Sequence, residues 1–232
     1  FYRSAKKIEI DIPMPFEELR AMVLDFCKKI DSPDAMAYVQ ATRGVGMRGH
    51  AYRFAGSTPS LWVWVKPDML DPMDRSYKAI TMEDTRYFHC DIKTINLLPA
   101  VIYTQRAEEA GCDETILHRG DRVTECAHSN VHILKDGALK TAPCDNLILP
   151  GITRAHRIAQ CREMGIPVIE EPFTVREMME ADEVFFTSAS ALCCRIEEID
   201  GQKVGGRAPE LIARIQKAAW DEALAEVRQI NG

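Results

Sequence analysis

In PFEELRAMVLDFCKKI, residues 15–30, apolar side chains recur at Leu19, Met22, Val23, Phe26 and Ile30. Intervals of three and four put them on one stripe of a helix whose charged face meets solvent. The period then shortens. MAYVQATRG (36–44) and SLWVWVKP (60–67) bring β-branched and aromatic residues into near alternation, which predicts two strands. The Gly-rich, basic RGVGMRGHAYRF between them reads as the loop of an antiparallel pair. KPDMLDPMD (66–74) holds two prolines and three aspartates and has no period, so it is the expected interdomain linker. The domain expectation is a small α/β domain over 1–67, a linker over 68–73 and a large domain over 74–232.

The remaining pattern alternates irregularly. YKAITMED predicts a strand, TINLLPAVIYTQRAEEAG a helix with Pro99 near its first turns, and DETILHRG a strand. RVTECAHSNVHILKDG and ALKTAP follow as two short segments parted by KDG, a hairpin signal. NLILPGITRAHRIAQCREMG reads as strand, Pro-Gly turn and a helix opening at Thr153. Beyond it come IPVIEEPFT, a short helix, the strand EVFFTSAS, a turn around IDGQKVGG and a C-terminal helix from Pro209. Such mixing predicts an α/β (α+β mixed) fold with some antiparallel hairpins. FYRSAKKIEI begins with Phe1 rather than Met and reads as the middle of a helix with no cap before it, which leads to the expectation of a preceding segment.

Composition narrows the partners. With 232 residues, 46% hydrophobic and 28% charged, the chain has the make-up of an ordinary globular protein with room for a sizeable core. A net charge of -6 with no Lys/Arg-rich run argues against nucleic acid or an anionic membrane as partner. No apolar run approaches the roughly 20 residues that span a bilayer, and nothing resembles a secretion signal, so the cytoplasm is the expected compartment. The eight cysteines form no CxxC pair, and adjacent Cys193 and Cys194 make a poor metal clamp. Free, mostly buried thiols and no metal site are expected.

One basic residue, Lys93, interrupts the otherwise apolar DIKTINLLPA. Alone it reads as a lysine that snorkels to solvent. Its company changes the reading: a carboxylate in VTECAHSNV, a helix N-terminus in LPGIT and a hydroxyl cluster in FTSAS. An imine-forming amine, an acidic partner for a ring nitrogen and two anion-binding turns are what a pyridoxal-phosphate site requires.

CDIKTINLL, DETILHRGDRVTE, SNVHILKDGALKT, LILPGITR and ADEVFFTSAS, in this order, resemble the fold-type-IV (class IV) pyridoxal-phosphate-dependent aminotransferases, closest to the D-amino-acid aminotransferases. The resemblance runs over essentially the whole chain and implies a two-domain fold whose small domain starts upstream of Phe1. It also implies pyridoxal 5'-phosphate as cofactor, bound by Lys93 as a Schiff base. An amine flanked by Ile92 and Ile95 can be kept partly neutral by desolvation, and Lys93 then also shuttles the substrate's α-proton.

By the same resemblance Glu125 pairs with the pyridine nitrogen, and Leu149 packs on the ring. The phosphate falls to the N–H groups of Ile152 and Thr153 with the Thr153 hydroxyl, and to Thr187 and Ser188. Ala189 stands where the closest relatives carry another hydroxyl, so one phosphate hydrogen bond is expected to be lost or to be replaced by one from Ser190. Arg48 and His50 match the pair that traps the α-carboxylate, reaching from the neighbouring subunit of a homodimer. A further arginine and a tyrosine of the family's site belong upstream of this sequence. His128 and Cys126 depart from the closest relatives, and TEC is similar to the aminodeoxychorismate lyases.

The implied function is amino-group exchange between D-amino acids, of the D-alanine and D-glutamate type, and 2-oxo acids. The alternatives are a same-fold lyase, a branched-chain aminotransferase and a noncatalytic binding protein. Retention of both Lys93 and Glu125 argues against the last, since binding alone needs no electron sink.

Overall fold

The computed structural model describes residues 1–54 and 58–231. The chain divides into two compact units, residues 1–69 and 70–232. In the first, α1 (Tyr2–Lys7) is followed by α2 (Phe16–Lys28), β1 (Ala35–Thr42) and β2 (Ser60–Pro67). Glu17 and Glu18 lie in the first turn of α2 and Lys28 in its last, each sign matching the helix dipole. The helix stops before Ile30, the last residue of the expected stripe. β1 and β2 pair antiparallel over their full length, from Ala35 opposite Pro67 to Thr42 opposite Ser60. Tyr38 and Trp64, directly opposite, stack with ring centroids 5.1 Å apart.

The second unit runs β3 (Tyr77–Glu83), α3 (Leu98–Glu109), β4 (Glu114–Arg119), β5 (Arg122–Cys126), β6 (Asn130–Lys135), β7 (Ala138–Thr141), α4 (Ile152–Glu163), β8 (Val168–Glu170), α5 (Val175–Met179), β9 (Glu183–Thr187), β10 (Cys194–Ile199), β11 (Gln202–Lys203) and α6 (Pro209–Asn231). Its described strands form one mixed sheet in the order β5-β4-β3-β10-β9-β6-β7-β8, with β11 paired to β10. The pairs β3/β4, β3/β10 and β7/β8 are parallel and the rest antiparallel. Ile133 and Val184 belong to one buried cluster, and their chain neighbours Leu134 and Phe185 to another. Successive strand residues point to opposite faces, so the sheet buries both. On the second face α4 and α6 supply Ile158, Ile212 and Ile215.

KDG forms the expected hairpin: Lys135 pairs with Ala138, and Asp136 (φ 51°) and Gly137 (φ 79°) adopt the left-handed turn of a two-residue loop. Three expectations need correction. The helix expected from Thr94 starts at Leu98, because Pro99 lacks an N–H and its ring excludes a helical turn before it. RVTECAHSNVHILK is two strands, β5 and β6, around a turn at 127–129. NLIL is no strand: Leu147 N–H goes to Asp145 Oδ1 and Leu149 N–H to Glu125 Oε2, so side-chain carboxylates replace a partner strand. β10, read from the sequence as no element at all, is central to the sheet.

Candidate active site

Arg86 donates through its backbone N–H (3.0 Å) and Nε (2.9 Å) to Asp84 Oδ1, and through Nη2 (2.9 Å) to Asp84 Oδ2. The rest of its fork reaches Glu125 Oε1 (2.6 Å, from Nη1) and the Leu147 carbonyl (3.1 Å, from Nη2). Asp84 also accepts from Thr124 Oγ1 (3.0 Å) and Arg119 Nε (3.3 Å). Burial pushes the Asp84 carboxyl up, but Arg86 and Arg119 outweigh it and hold it below the usual carboxylate range. Arg86 stays charged despite its burial, because two carboxylates face it.

Glu125, on β5, is buried, and its second oxygen accepts from Asn130 Nδ2 (2.9 Å) and Leu149 N–H (3.0 Å). Burial pushes its carboxyl up to about 7, against the lowering pull of Arg86 and of Leu149 N–H. A carboxylate has about four lone-pair positions and three are used here, so one remains for a protonated ring nitrogen. A buried acid with an open acceptor position fits a pyridinium partner.

Glu125 is joined to the start of α4 through Leu149 and Asn130. Asn130 Nδ2 also donates to the Leu149 carbonyl (3.0 Å), and Gly151 N–H returns to that carbonyl (2.8 Å). Gly151 is the extended N-cap of α4 and carries no side chain to cap the first turn, so N–H groups of that turn are open to an anion. A Cβ at 151 would stand 2.1 Å from Asn130 Oδ1. Gly151→Ala is therefore expected to displace the Asn130 amide and to lower stability by about 1–3 kcal/mol, measured by urea unfolding of the parent and variant.

The hydroxyls are arranged differently from expectation. Thr153 Oγ1 donates to the Ser188 carbonyl (2.7 Å), which ties α4 to the turn after β9. Thr187 is 1% exposed and its hydroxyl lies 3.0 Å from His132 Nε2, which fixes its side chain against β6. Burial, then Arg154 and Arg157, push His132 down to about 3, which keeps it neutral. Ser188 Oγ accepts from Ser190 N–H (3.2 Å) and Ala191 N–H (3.0 Å), and its own proton is directed at Ser190 Oγ (3.3 Å). Ser190 does not replace the hydroxyl missing at Ala189, because it donates to Asp71 Oδ2 (2.6 Å).

Lys93 lies in the loop 91–97 ahead of α3 and is exposed, and Ile95 is 62% exposed. The apolar cover expected from Ile92 and Ile95 is thus not built around this amine by its neighbours in sequence. Upstream of the loop, Arg86 reaches Glu125 Oε1 and Cys90 N–H donates to the Asn146 carbonyl (3.1 Å). In the first unit, Arg48 and His50 line one concavity together with Arg43, Met47 and Tyr52. His128 Nδ1 is 3.5 Å from Glu114 Oε2, while Cys126 is a buried thiol. Among the described residues all eight cysteines are free and five of them are buried.

Sequence reading missed Asp84, Arg86 and Asn130. Their signal was three polar residues at strand ends, and no local period marks which carboxylate an arginine will reach.

The sequence profile of the class IV aminotransferases matches residues 1–199, and the chain belongs to that family. Among curated proteins it is 39% identical over 207 residues to the D-alanine aminotransferase of Staphylococcus haemolyticus, covering 88% of this chain and 73% of that protein. It is 37% identical over 228 residues to the D-alanine aminotransferase of Bacillus licheniformis, covering 97% of this chain and 80% of that protein. Among solved structures, the branched-chain amino acid aminotransferase of Escherichia coli superposes with a TM-score of 0.81 at 24% identity, covering 95% of this chain and 75% of that one. A Legionella pneumophila protein assigned as a 4-amino-4-deoxychorismate lyase gives 0.82 at 22% identity, covering 93% and 82%. At such identities these two share the fold alone.

Proposed function

We propose that this chain exchanges amino groups between D-amino acids, of the D-alanine and D-glutamate type, and 2-oxo acids, with pyridoxal 5'-phosphate as its cofactor. The reading rests on Glu125, a buried carboxylate oriented by three donors, in a chain whose curated relatives are D-alanine aminotransferases. When bound, the cofactor supplies an electron-accepting ring that lets the bond between the substrate's α-carbon and its hydrogen break.

The chain's residues do the rest. Lys93 is the attachment point and carries the proton at the α-carbon. Glu125 keeps the ring nitrogen protonated, while Arg86, Asn130 and Leu149 N–H keep Glu125 aimed. The Leu149 side chain packs on the ring. Ile152 and Thr153, with the turn at Thr187 and Ser188, hold the phosphate. Arg48 and His50 take the substrate carboxylate, Arg48 through its planar fork. Residues 1–67 form the small domain, 68–73 the linker and 74–232 the cofactor-binding domain in this reading.

The working unit is a homodimer, and Arg48 and His50 serve the neighbouring subunit's site. Supporting this, Leu98 (70%), Val101 (61%), Phe88 (61%) and Leu97 (53%) are exposed apolar residues on and before α3, and Val45 (91%) and Met47 (82%) are exposed beside Arg48. Leu98→Asp with Val101→Asp is expected to yield monomers by sedimentation and to remove most turnover; a dimer of parental stability would place the interface elsewhere. Eight free thiols support a reducing compartment such as the cytoplasm. No helix of the described residues is long and apolar enough to cross a membrane.

The deciding experiment mixes the protein with D-alanine and 2-oxoglutarate and assays for D-glutamate by chiral chromatography. Release of pyruvate from aminodeoxychorismate without an amino acceptor, or turnover of L-valine but not D-alanine, would replace the reading with a lyase or a branched-chain aminotransferase.

A further inference from the structure

Arg43 stands at the foot of the loop that bears Arg48 and His50, and both of its Nη atoms donate to backbone carbonyls. Nη1 donates to the Glu9 carbonyl at 2.8 Å, and Nη2 donates to the Ile8 carbonyl. The face of the same guanidinium lies over the Tyr52 ring, 3.6 Å from its centroid. One side chain at the start of the loop therefore joins it both to the chain leaving α1 and to Tyr52.

The loop needs such a fastening. Between Arg43 and Tyr52 it contains three glycines, at 44, 46 and 49, and Gly44 has φ 92°. Glycines widen the range of conformations open to a free loop, so holding Arg48 and His50 in one geometry carries an entropic cost. Val45 (91% exposed) and Met47 (82% exposed) give the tip no packing of its own within the described residues. At the other end of the fork Glu9 is held at φ 55°, a strained conformation for a residue with a side chain. Its carbonyl and that of Ile8 follow the last turn of α1, where carbonyls lack helical partners, and a planar fork with two parallel donors suits a pair of adjacent acceptors. Stacking on Tyr52 closes the loop's base, so that residues 44–51 behave as a compact loop with its ends together.

We infer that Arg43 is the positioning residue of the substrate-carboxylate trap: it holds the 43–52 loop closed at its base so that Arg48 and His50 are presented together. This rests on the reading that Arg48 and His50 bind the α-carboxylate. Because its fork is committed to Ile8 and Glu9 and its face to Tyr52, Arg43 acts through the loop and not on the substrate.

The test uses the cofactor-loaded protein and compares Arg43→Ala, Arg43→Lys, Tyr52→Phe and Arg48→Ala. Arg43→Ala is expected to raise KM for D-alanine and for 2-oxoglutarate about tenfold, with kcat within about twofold of the parent. The cofactor's absorption spectrum should not change, and amides 44–52 should exchange faster with deuterium. Arg43→Lys keeps the charge but loses the fork and the flat face, so it should resemble Arg43→Ala. Tyr52→Phe keeps the ring and should resemble the parent. Parental KM in Arg43→Ala, or parental KM in Arg43→Lys, would overturn the inference, the second because charge alone would then suffice. If Arg48→Ala also has parental KM, the carboxylate-trap reading itself fails; if Arg48→Ala is impaired and Arg43→Ala is not, only the role of Arg43 fails.

Discussion

Lys93→Ala is expected to abolish transamination, lowering turnover by about a thousandfold or more, since in the proposed function the same amine serves as attachment point and proton carrier. Borohydride treatment followed by intact-mass measurement reads the attachment independently of turnover. The parent should gain the mass of one reduced cofactor, mapped to a peptide containing Lys93, and Lys93→Ala should gain none. The exposure of Lys93 bears on the expectation: a side chain exposed in the loop ahead of α3 is reachable by a cofactor aldehyde without unfolding of the core. Attachment of the cofactor elsewhere, with turnover unchanged in the variant, would remove Lys93 from the mechanism.

Glu125→Gln should slow removal of the α-proton by about a hundredfold or more, measured in a single turnover, while the affinity for the cofactor changes far less. The amide in this variant could still accept one hydrogen bond, but it would not keep the ring nitrogen protonated. A second readout is stability of the cofactor-free protein against pH. The folded-state pKa of Glu125 is raised, to about 7, above the ordinary value of 4.5. Between those values the folded state binds the proton that the unfolded state has lost, so this group makes stability fall as pH rises from about 4.5 to 7. Asp84 acts in the opposite sense: its lowered pKa adds stability above its unfolded value, and that stability is lost as pH falls. The difference between parent and Glu125→Gln isolates the first effect. The variant's unfolding free energy should decline less over this window, by urea titration at several pH values. Identical pH slopes would show that Glu125 is ionised throughout the window.

Local pattern determined what local forces decide. The stripe from Leu19 to Phe26 requires only a helical period, and α2 follows it. KDG needs two residues tolerant of left-handed backbone, and the β6–β7 hairpin forms on Asp136 and Gly137. The ordered motifs around Lys93, Glu125 and LPGITR pointed to the class IV family, whose profile matches residues 1–199, because chemistry at a cofactor constrains residue type more tightly than packing does.

Partners distant in sequence were decided only by the tertiary structure. Arg86 reaches Glu125 across 39 residues and the Leu147 carbonyl across 61, and nothing in EDTRY tells which carboxylate will lie within its fork. NLIL has the composition of a strand, yet its N–H groups found Asp145 and Glu125, so it became the strut that aims Glu125. Ser190 reads in sequence as a hydroxyl available to an anion, but Asp71, 119 residues away, accepts its hydrogen bond. β10 became central by pairing in parallel with β3, a contact that no short-range period encodes. Helical and strand periods are set by backbone geometry within a few residues, whereas a buried polar group is satisfied by whichever donor or acceptor the whole fold delivers to it.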